Sequence, residues 1–193
     1  MNEEQQLIGE MARRMLDDHC GPAVVDAAEQ GDYPSALWTL LVDNGLTTLG
    51  IDEALGGAGG TFCDALVVLR EAGRKAAPLP LAETLLAGQL LSSLEQRLPT
   101  GPMCFVQGDV SLNESGQLQG SVHGVKFARH CQTLLVAARR GEDPVICLIP
   151  AATVAVTQGK DLAGEPSDDL ELFVQVQPQA CFEIDEAKLD AVL

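Results

Sequence analysis

Glu71 lies in the run Arg70-Glu71-Ala72-Gly73-Arg74-Lys75. A glutamate serves as a general base only where burial raises its pKa. Arg74 and Lys75 follow within one turn and would lower it, so the pattern predicts a solvated or ion-paired carboxylate on the polar side of a helix. Arg129 and His130, with Lys126 nearby, form the one basic patch of an acidic chain. Such a patch could hold a phosphate through charge-assisted hydrogen bonds, or it is a strand-end cluster of charge. Gly56-Gly57-Ala58-Gly59-Gly60 has the composition of a phosphate cradle. It follows no strand of a βαβ unit and lacks the Lys-Ser/Thr of a P-loop, which favours a tight turn between helices. His19, His123 and His130 do not recur at metal-ligand spacing, and no metal site is expected. No Ser-His-Asp or Cys-His spacing supports a nucleophile.

The elements that must position these groups change character near residue 100. Residues 1–100 carry 15 acids and 6 bases, residues 101–140 carry 2 and 4, and residues 141–193 carry 11 and 2. Leu98-Pro99-Thr100-Gly101-Pro102 marks the break. Before it the period is helical. Leu7, Ile8, Met11 and Met15 share a face of a helix that should stop before Gly21-Pro22, and a short helix follows over Ala23–Glu29. Leu37, Trp38, Leu41 and Val42 form a buried stripe that ends at Asn44-Gly45. Thr61 and Asp64 have capping-box spacing, ahead of the stripe Phe62, Ala65, Leu66, Leu69, Ala72 and Gly73. A further helix runs over 81–94.

After residue 103 the period falls to two. Leu170, Leu172, Val174 and Val176 alternate with polar neighbours, apart from Phe173, as in a strand with one face on a core. Strands are also predicted at 103–107, 118–122, 133–138, 145–149 and 154–157. The expected fold is α+β. A helical domain spans 1–98, an antiparallel β-barrel or sandwich domain spans 103–178, and a C-terminal helix begins over 185–193.

The 193 residues are 46 % hydrophobic, with a formal net charge of −16. That fraction supports a real core, and the charge argues against nucleic-acid backbones and anionic membrane surfaces as partners. No apolar run approaches the roughly 18 residues of a membrane helix. The N-terminus MNEEQQ has neither a basic nor an apolar region, so no signal peptide is expected. Cys20, Cys63, Cys104, Cys131, Cys147 and Cys181 form no CxxC pair and mostly lie in apolar runs. They read as buried free thiols of a reducing cytoplasm.

Several segments, in fixed order, resemble the acyl-CoA dehydrogenase family. Leu37-Trp38-Thr39-Leu40-Leu41 and then Gly45-Leu46 is similar to its W-x-x-L-x-x-x-G-L segment. Leu49-Gly50-Ile51-Asp52-Glu53 before Gly56-Gly57-Ala58-Gly59 is similar to its L-x-I-P-E-E-x-G-G-x-G loop. The helix from Asp64 to Arg74 is similar to its E-E-L-G-R helix, and Ala77-Pro78-Leu79-Pro80 follows as in the family. Gly124-Val125-Lys126 and Leu134–Arg139 resemble its G-x-K and A-D-x-L-L-V-x-A-R strands more loosely.

The resemblance implies FAD as cofactor and an acyl-CoA thioester as substrate, oxidised to the 2,3-enoyl-CoA. A carboxylate removes the α-proton and the flavin takes the β-hydride. The helix carrying Glu71 would border the acyl cavity. Phe127, Arg129 and His130 fall where the family's flavin-facing strand lies and are the expected cofactor-binding residues. No residue is assigned as catalyst. The resemblance covers only the helical and middle β domains. The family's third, helical domain, which usually carries the catalytic glutamate, is not among these 193 residues. Val106–Ser111 stands in place of the T-E-x-x-x-G-S-D loop, and Phe127-Ala128-Arg129 in place of W-[IV]-[ST]. These departures predict weak or no FAD binding by this chain alone, and no turnover.

Two roles follow from the resemblance: part of a flavin-dependent acyl-CoA desaturating system, or a non-catalytic subunit of the same fold that binds no flavin. Leu85, Leu86, Leu90, Leu91 and Leu94 crowd one helix, and Leu189, Val192 and Leu193 leave a stripe unfinished. A homodimer, or a hetero-oligomer with a dehydrogenase-like subunit, is expected through these surfaces.

Overall fold

The computed structural model describes residues 1–187 and Leu189. The chain divides into two compact units, Met1–Leu98 and Pro99–Leu193. Five helices make the first: α1 (Glu3–His19), α2 (Pro22–Glu29), α3 (Ser35–Asp43), α4 (Phe62–Arg74) and α5 (Leu81–Ser93). Each start has a local cause. Asn2 and Gln5 close a capping box on α1, and Pro22 occupies the first turn of α2. The Asp64 carboxylate accepts from the Thr61 amide at 2.7 Å and its hydroxyl at 2.8 Å, which fixes the start of α4.

The buried faces differ from the expected stripes by about one residue. In α1 the buried residues are Gly9, Ala12 and Leu16, and Leu7 is exposed. Small residues win here because α1 packs closely on α4: a Cβ on Gly9 would lie 3.0 Å from Val67 Cγ1. In α4 Ala65 and Ala72 of the expected stripe are buried, joined by Val67 and Val68, while Phe62 and Leu66 are exposed. Val42 of α3 is likewise exposed. Helical spacing fixes the stripe only to within a residue or so, and the neighbouring helix sets its centre. Ala12, Leu16, Ala65, Val68 and Ala72 join Leu37, Trp38, Leu41 and Leu46 in one hydrophobic core. In α5 the expected open face is mostly closed: Leu85, Leu90 and Leu91 are fully buried and Leu94 is half-buried, leaving only Leu86 exposed.

The glycine loop is a turn. Gly50 N–H donates to the Gly59 carbonyl at 2.8 Å and Gly59 N–H to the Ile51 carbonyl at 2.9 Å. The Gly57 amide donates to the Asp52 carbonyl at 3.0 Å. These amides are engaged within the loop, so they cannot cradle a phosphate. A Cβ on Gly57 would sit 2.0 Å from the Ile51 oxygen. Gly57→Ala should therefore cost about 3 kcal/mol, by analogy with overpacked sites. Gly73→Ala, at a helix position with nothing within 4 Å, should be neutral or stabilise by up to about 1 kcal/mol. Urea midpoints of the two variants check this, and equal midpoints would contradict it.

The described residues of the second unit form one mostly antiparallel sheet of eight strands: β1 (Met103–Val106), β2 (Val110–Leu112), β3 (Gln117–Lys126), β4 (Thr133–Arg140), β5 (Asp143–Pro150), β6 (Ala155–Thr157), β7 (Ser167–Gln175) and β8 (Cys181–Glu183). The order is β6-β7-β3-β2-β4-β5-β8. β1 and β2 both run parallel to β4, at Met103–Val106 and at Ser111. The chain is thus α+β as expected, with two parallel pairings in an otherwise antiparallel sheet. β2 and β8, three residues each, are strands the alternation did not reveal. Leu170, Leu172, Val174 and Val176 all face the core as predicted.

Beyond β8, Glu186, Ala187 and Leu189 are helical. Val192 and Leu193 of the expected apolar stripe lie outside the described residues. No helix among the described residues is long and apolar enough to cross a membrane.

Candidate functional site

β3 ends at Lys126 and the chain turns through Phe127, whose φ of 54° is left-handed, into a short 3-10 turn at Ala128–His130. The Phe127 side chain is buried. The turn is held from below by Asp168 of β7, which is 0 % exposed. Asp168 Oδ2 accepts the Arg129 amide at 2.9 Å, and Oδ1 accepts Arg129 Nε at 2.8 Å. Arg129 Nη2 also donates to Asp168 and to the Gly159 carbonyl, and Nη1 to Gln158 Oε1 at 3.2 Å. Lys126 pairs with Asp161 and lies 3.6 Å from Glu165. His130 is held below its usual pKa, first by burial and then by the adjacent Arg129 charge. The patch that looked basic in sequence is therefore neutralised inside its own unit.

As placed, these residues do not fit a flavin dinucleotide. Arg129 is committed to a buried carboxylate, His130 is biased toward its neutral form, and Phe127 is packed away. The stretch Val106–Ser111 offers no replacement. It forms the end of β1, a turn and the start of β2, and its Asp109 adds negative charge. This turn borders a cavity of about 500 Å³. The cavity is also lined by Asn113, Ala138, Arg139 and Leu189. Arg139 pairs with Glu186 at 2.6 Å and donates to the Glu142 carbonyl at 2.9 Å. The volume is that of a small-molecule site. Sequence reasoning missed this cavity, because the β4–β5 hairpin and the β1–β2 turn that build it meet through the parallel pairings of β1 and β2 with β4.

Glu71 is ion-paired, one of the two expected states, but it is buried and not on an exposed polar side of its helix. Its side chain is 1 % exposed, and three arginines converge on it. Arg74 lies at 2.6 Å, Arg70 at 2.9 Å and Arg13 of α1 at 3.1 Å. Its pKa falls to about 2, chiefly through the Arg13 hydrogen bond, which outweighs the opposing effect of burial. A carboxylate held this acidic is a clasp between α1 and α4 and a poor proton acceptor at neutral pH. Arg13, 58 residues away in sequence, is the partner that spacing could not reveal. His123 Nδ1 lies 3.2 Å from Asp169 Oδ2, but among the described residues no group of three or more His, Cys, Asp or Glu could hold a metal ion. Cys63 is exposed and Cys181 half-buried, against the expectation of six buried thiols, while the other four are buried.

Residues 2–94 match the family description "Acyl-CoA dehydrogenase, N-terminal domain". The chain is 44 % identical over 166 residues to acyl-CoA dehydrogenase IpdE2 of Mycobacterium tuberculosis, covering 82 % of this chain and 52 % of that protein. It is 34 % identical over 139 residues to IpdE2 of Mycolicibacterium smegmatis, covering 69 % and 45 %. The chain thus spans about half the length of the curated relatives it matches. Among solved structures, the ChsE4-ChsE5 complex from Mycobacterium tuberculosis superposes with a TM-score of 0.86 at 21 % identity, over 98 % of this chain and 59 % of that one. With the helical unit matched in sequence and the helix-then-sheet order matched in space, the chain belongs to the acyl-CoA dehydrogenase family.

Proposed function

We propose that this chain acts in a flavin-dependent system for α,β-desaturation of acyl-CoA thioesters in the cytoplasm, as a subunit that does not hold the flavin by itself. The observation that carries this reading is the commitment of Arg129 to the fully buried Asp168. That pairing removes the one guanidinium at Phe127–His130 suited to an anionic cofactor. The helical unit keeps its family pattern, as a chain that shapes an acyl pocket beside a complete dehydrogenase would. A second dehydrogenase-like subunit then supplies FAD and the base. The two-protein composition of the ChsE4-ChsE5 complex supports a heteromer as the working assembly.

Flavin absorbance, FAD titration and acyl-CoA oxidation by the purified chain test the proposal. Alone it should be colourless, with FAD binding weaker than about 1 µM, or less than about 8 kcal/mol of binding free energy. It should oxidise no acyl-CoA. Assembled with an acyl-CoA dehydrogenase identified by mass spectrometry, it should yield a yellow, active complex. Stoichiometric FAD in the isolated chain together with turnover would overturn the reading and make the chain catalytic in its own right.

A further inference from the structure

Cys147 of β5 and Cys181 of β8 stand directly opposite each other in an antiparallel pairing. Antiparallel neighbours alternate between hydrogen-bonded and non-hydrogen-bonded positions, and the latter bring side chains closer. Ile184 N–H donates to the Pro144 carbonyl, which marks that position as hydrogen-bonded. Counting back along the register through Val145↔Glu183 and Ile146↔Phe182 makes Cys147↔Cys181 a non-hydrogen-bonded pair. Their sulfurs lie 3.7 Å apart. Opposed Cα atoms at such a position are about 4.5 Å apart, inside the disulfide range, so rotation about the two Cα–Cβ bonds can bring the sulfurs to bonding distance.

We propose that Cys147 and Cys181 form a reversible disulfide by exchange with a small-molecule disulfide, fastening the edge strand β8 to β5. The half-buried Cys181 is the entering thiol. As thiolate it attacks one sulfur of the small disulfide and expels the other as a thiolate, giving a mixed disulfide. Cys147 then attacks Cys181 Sγ and expels the second small thiolate. The two protein thiols lose two electrons, the small disulfide gains them, and the two protons pass to the leaving thiolates. Burial, and then the neighbouring Cys181, pushes the Cys147 thiol up to about 12, so it does not enter first; its sulfur, 3.7 Å from Cys181 Sγ, is placed for the second, intramolecular step. The link would hold a strand that pairs through only three residues. It lies just before Glu186, which binds Arg139 of β4, and Leu189, which lines the cavity. Oxidation would therefore restrain the segment at the cavity's edge.

The test treats the full chain, carrying Cys63→Ala to remove the exposed thiol, with trans-4,5-dihydroxy-1,2-dithiane or oxidised glutathione. Peptide mapping without reduction should show one Cys147–Cys181 link and a loss of two hydrogens. The β unit's melting temperature should rise by roughly 5 °C or more and return on reduction. Amide exchange at residues 181–184 should slow in the oxidised form. Glutathione trapped on Cys181 without passing to Cys147, a link between other cysteines, or an unchanged melting temperature after complete linkage would each overturn the proposal. The peptide map needs no variant at either cysteine, so a misfolded Cys181→Ser chain could not blur the answer.

Discussion

Asp168→Ala is expected to destabilise the β unit by about 3–5 kcal/mol, as the loss of one partner from a buried ion pair does. Asp168 is fully buried, and the Arg129 side chain opposite it is 12 % exposed. Truncation leaves the guanidinium short of its carboxylate and strands two backbone donors, the amides of Arg129 at 2.9 Å and Gly159 at 3.3 Å. For a unit of this size each kcal/mol moves the melting temperature by about 4–8 °C, so a fall of at least about 12 °C is expected. Adding Arg129→Met to Asp168→Ala should restore part of the loss by removing the orphaned charge. The remainder is the desolvation of the two amides, about 1–3 kcal/mol each. Thermal melts of both single variants and the double variant measure the coupling directly. An Asp168→Ala chain within about 1 kcal/mol of the parent would refute the buried pair as the support of the Phe127–His130 turn.

Glu71→Gln is expected to cost the helical unit about 2 kcal/mol at neutral pH. The carboxylate falls from its ordinary value of 4.5 to about 2 in the folded chain. Linkage would put the full effect near about 3 kcal/mol. The three arginines are about half exposed, so solvent screens part of it and the lower figure is expected. The sign follows from the direction of the depression. The ionised form is favoured by folding, so its stabilisation is complete above about pH 4.5 and is lost as pH falls toward 2. Between pH 6 and 8 the contribution is flat. Urea unfolding followed from pH 7 to pH 3 should show the parent losing stability faster than Glu71→Gln as carboxylates protonate. Indistinguishable acid slopes would mean that Glu71 does not clasp α1 to α4.

The helix-to-strand change near Pro99, the capping box at Thr61 and Asp64, and the alternation from Leu170 to Val176 were all legible in the sequence. Each is set by residues close in the chain, where propensity, capping and periodicity act directly. The family pattern from Leu37 to Pro80 was legible for the same reason, since it is a local run of residue types in order. The inward face of α4 was legible only in part: Ala65 and Ala72 of the expected stripe are buried, but Phe62 and Leu66 are exposed and Val67 and Val68 are buried beside them, a rotation set by the close approach of Gly9 to Val67. The short strands β2 and β8 were hidden too, since three residues carry too little alternation to stand out and pairing with β4 and β5 makes them strands.

The chemistry divides in the same way. Sequence supplied Glu71 beside arginines and a basic cluster at Lys126, Arg129 and His130. Tertiary structure decided what they are. Arg13 arrives from 58 residues away to bury Glu71 as an acid that stays ionised, and Asp168 arrives from 39 residues away to claim Arg129. Charge read along a chain counts neighbours in sequence, whereas a pKa and a free donor depend on neighbours in space, and those are fixed only when the helices and strands pack.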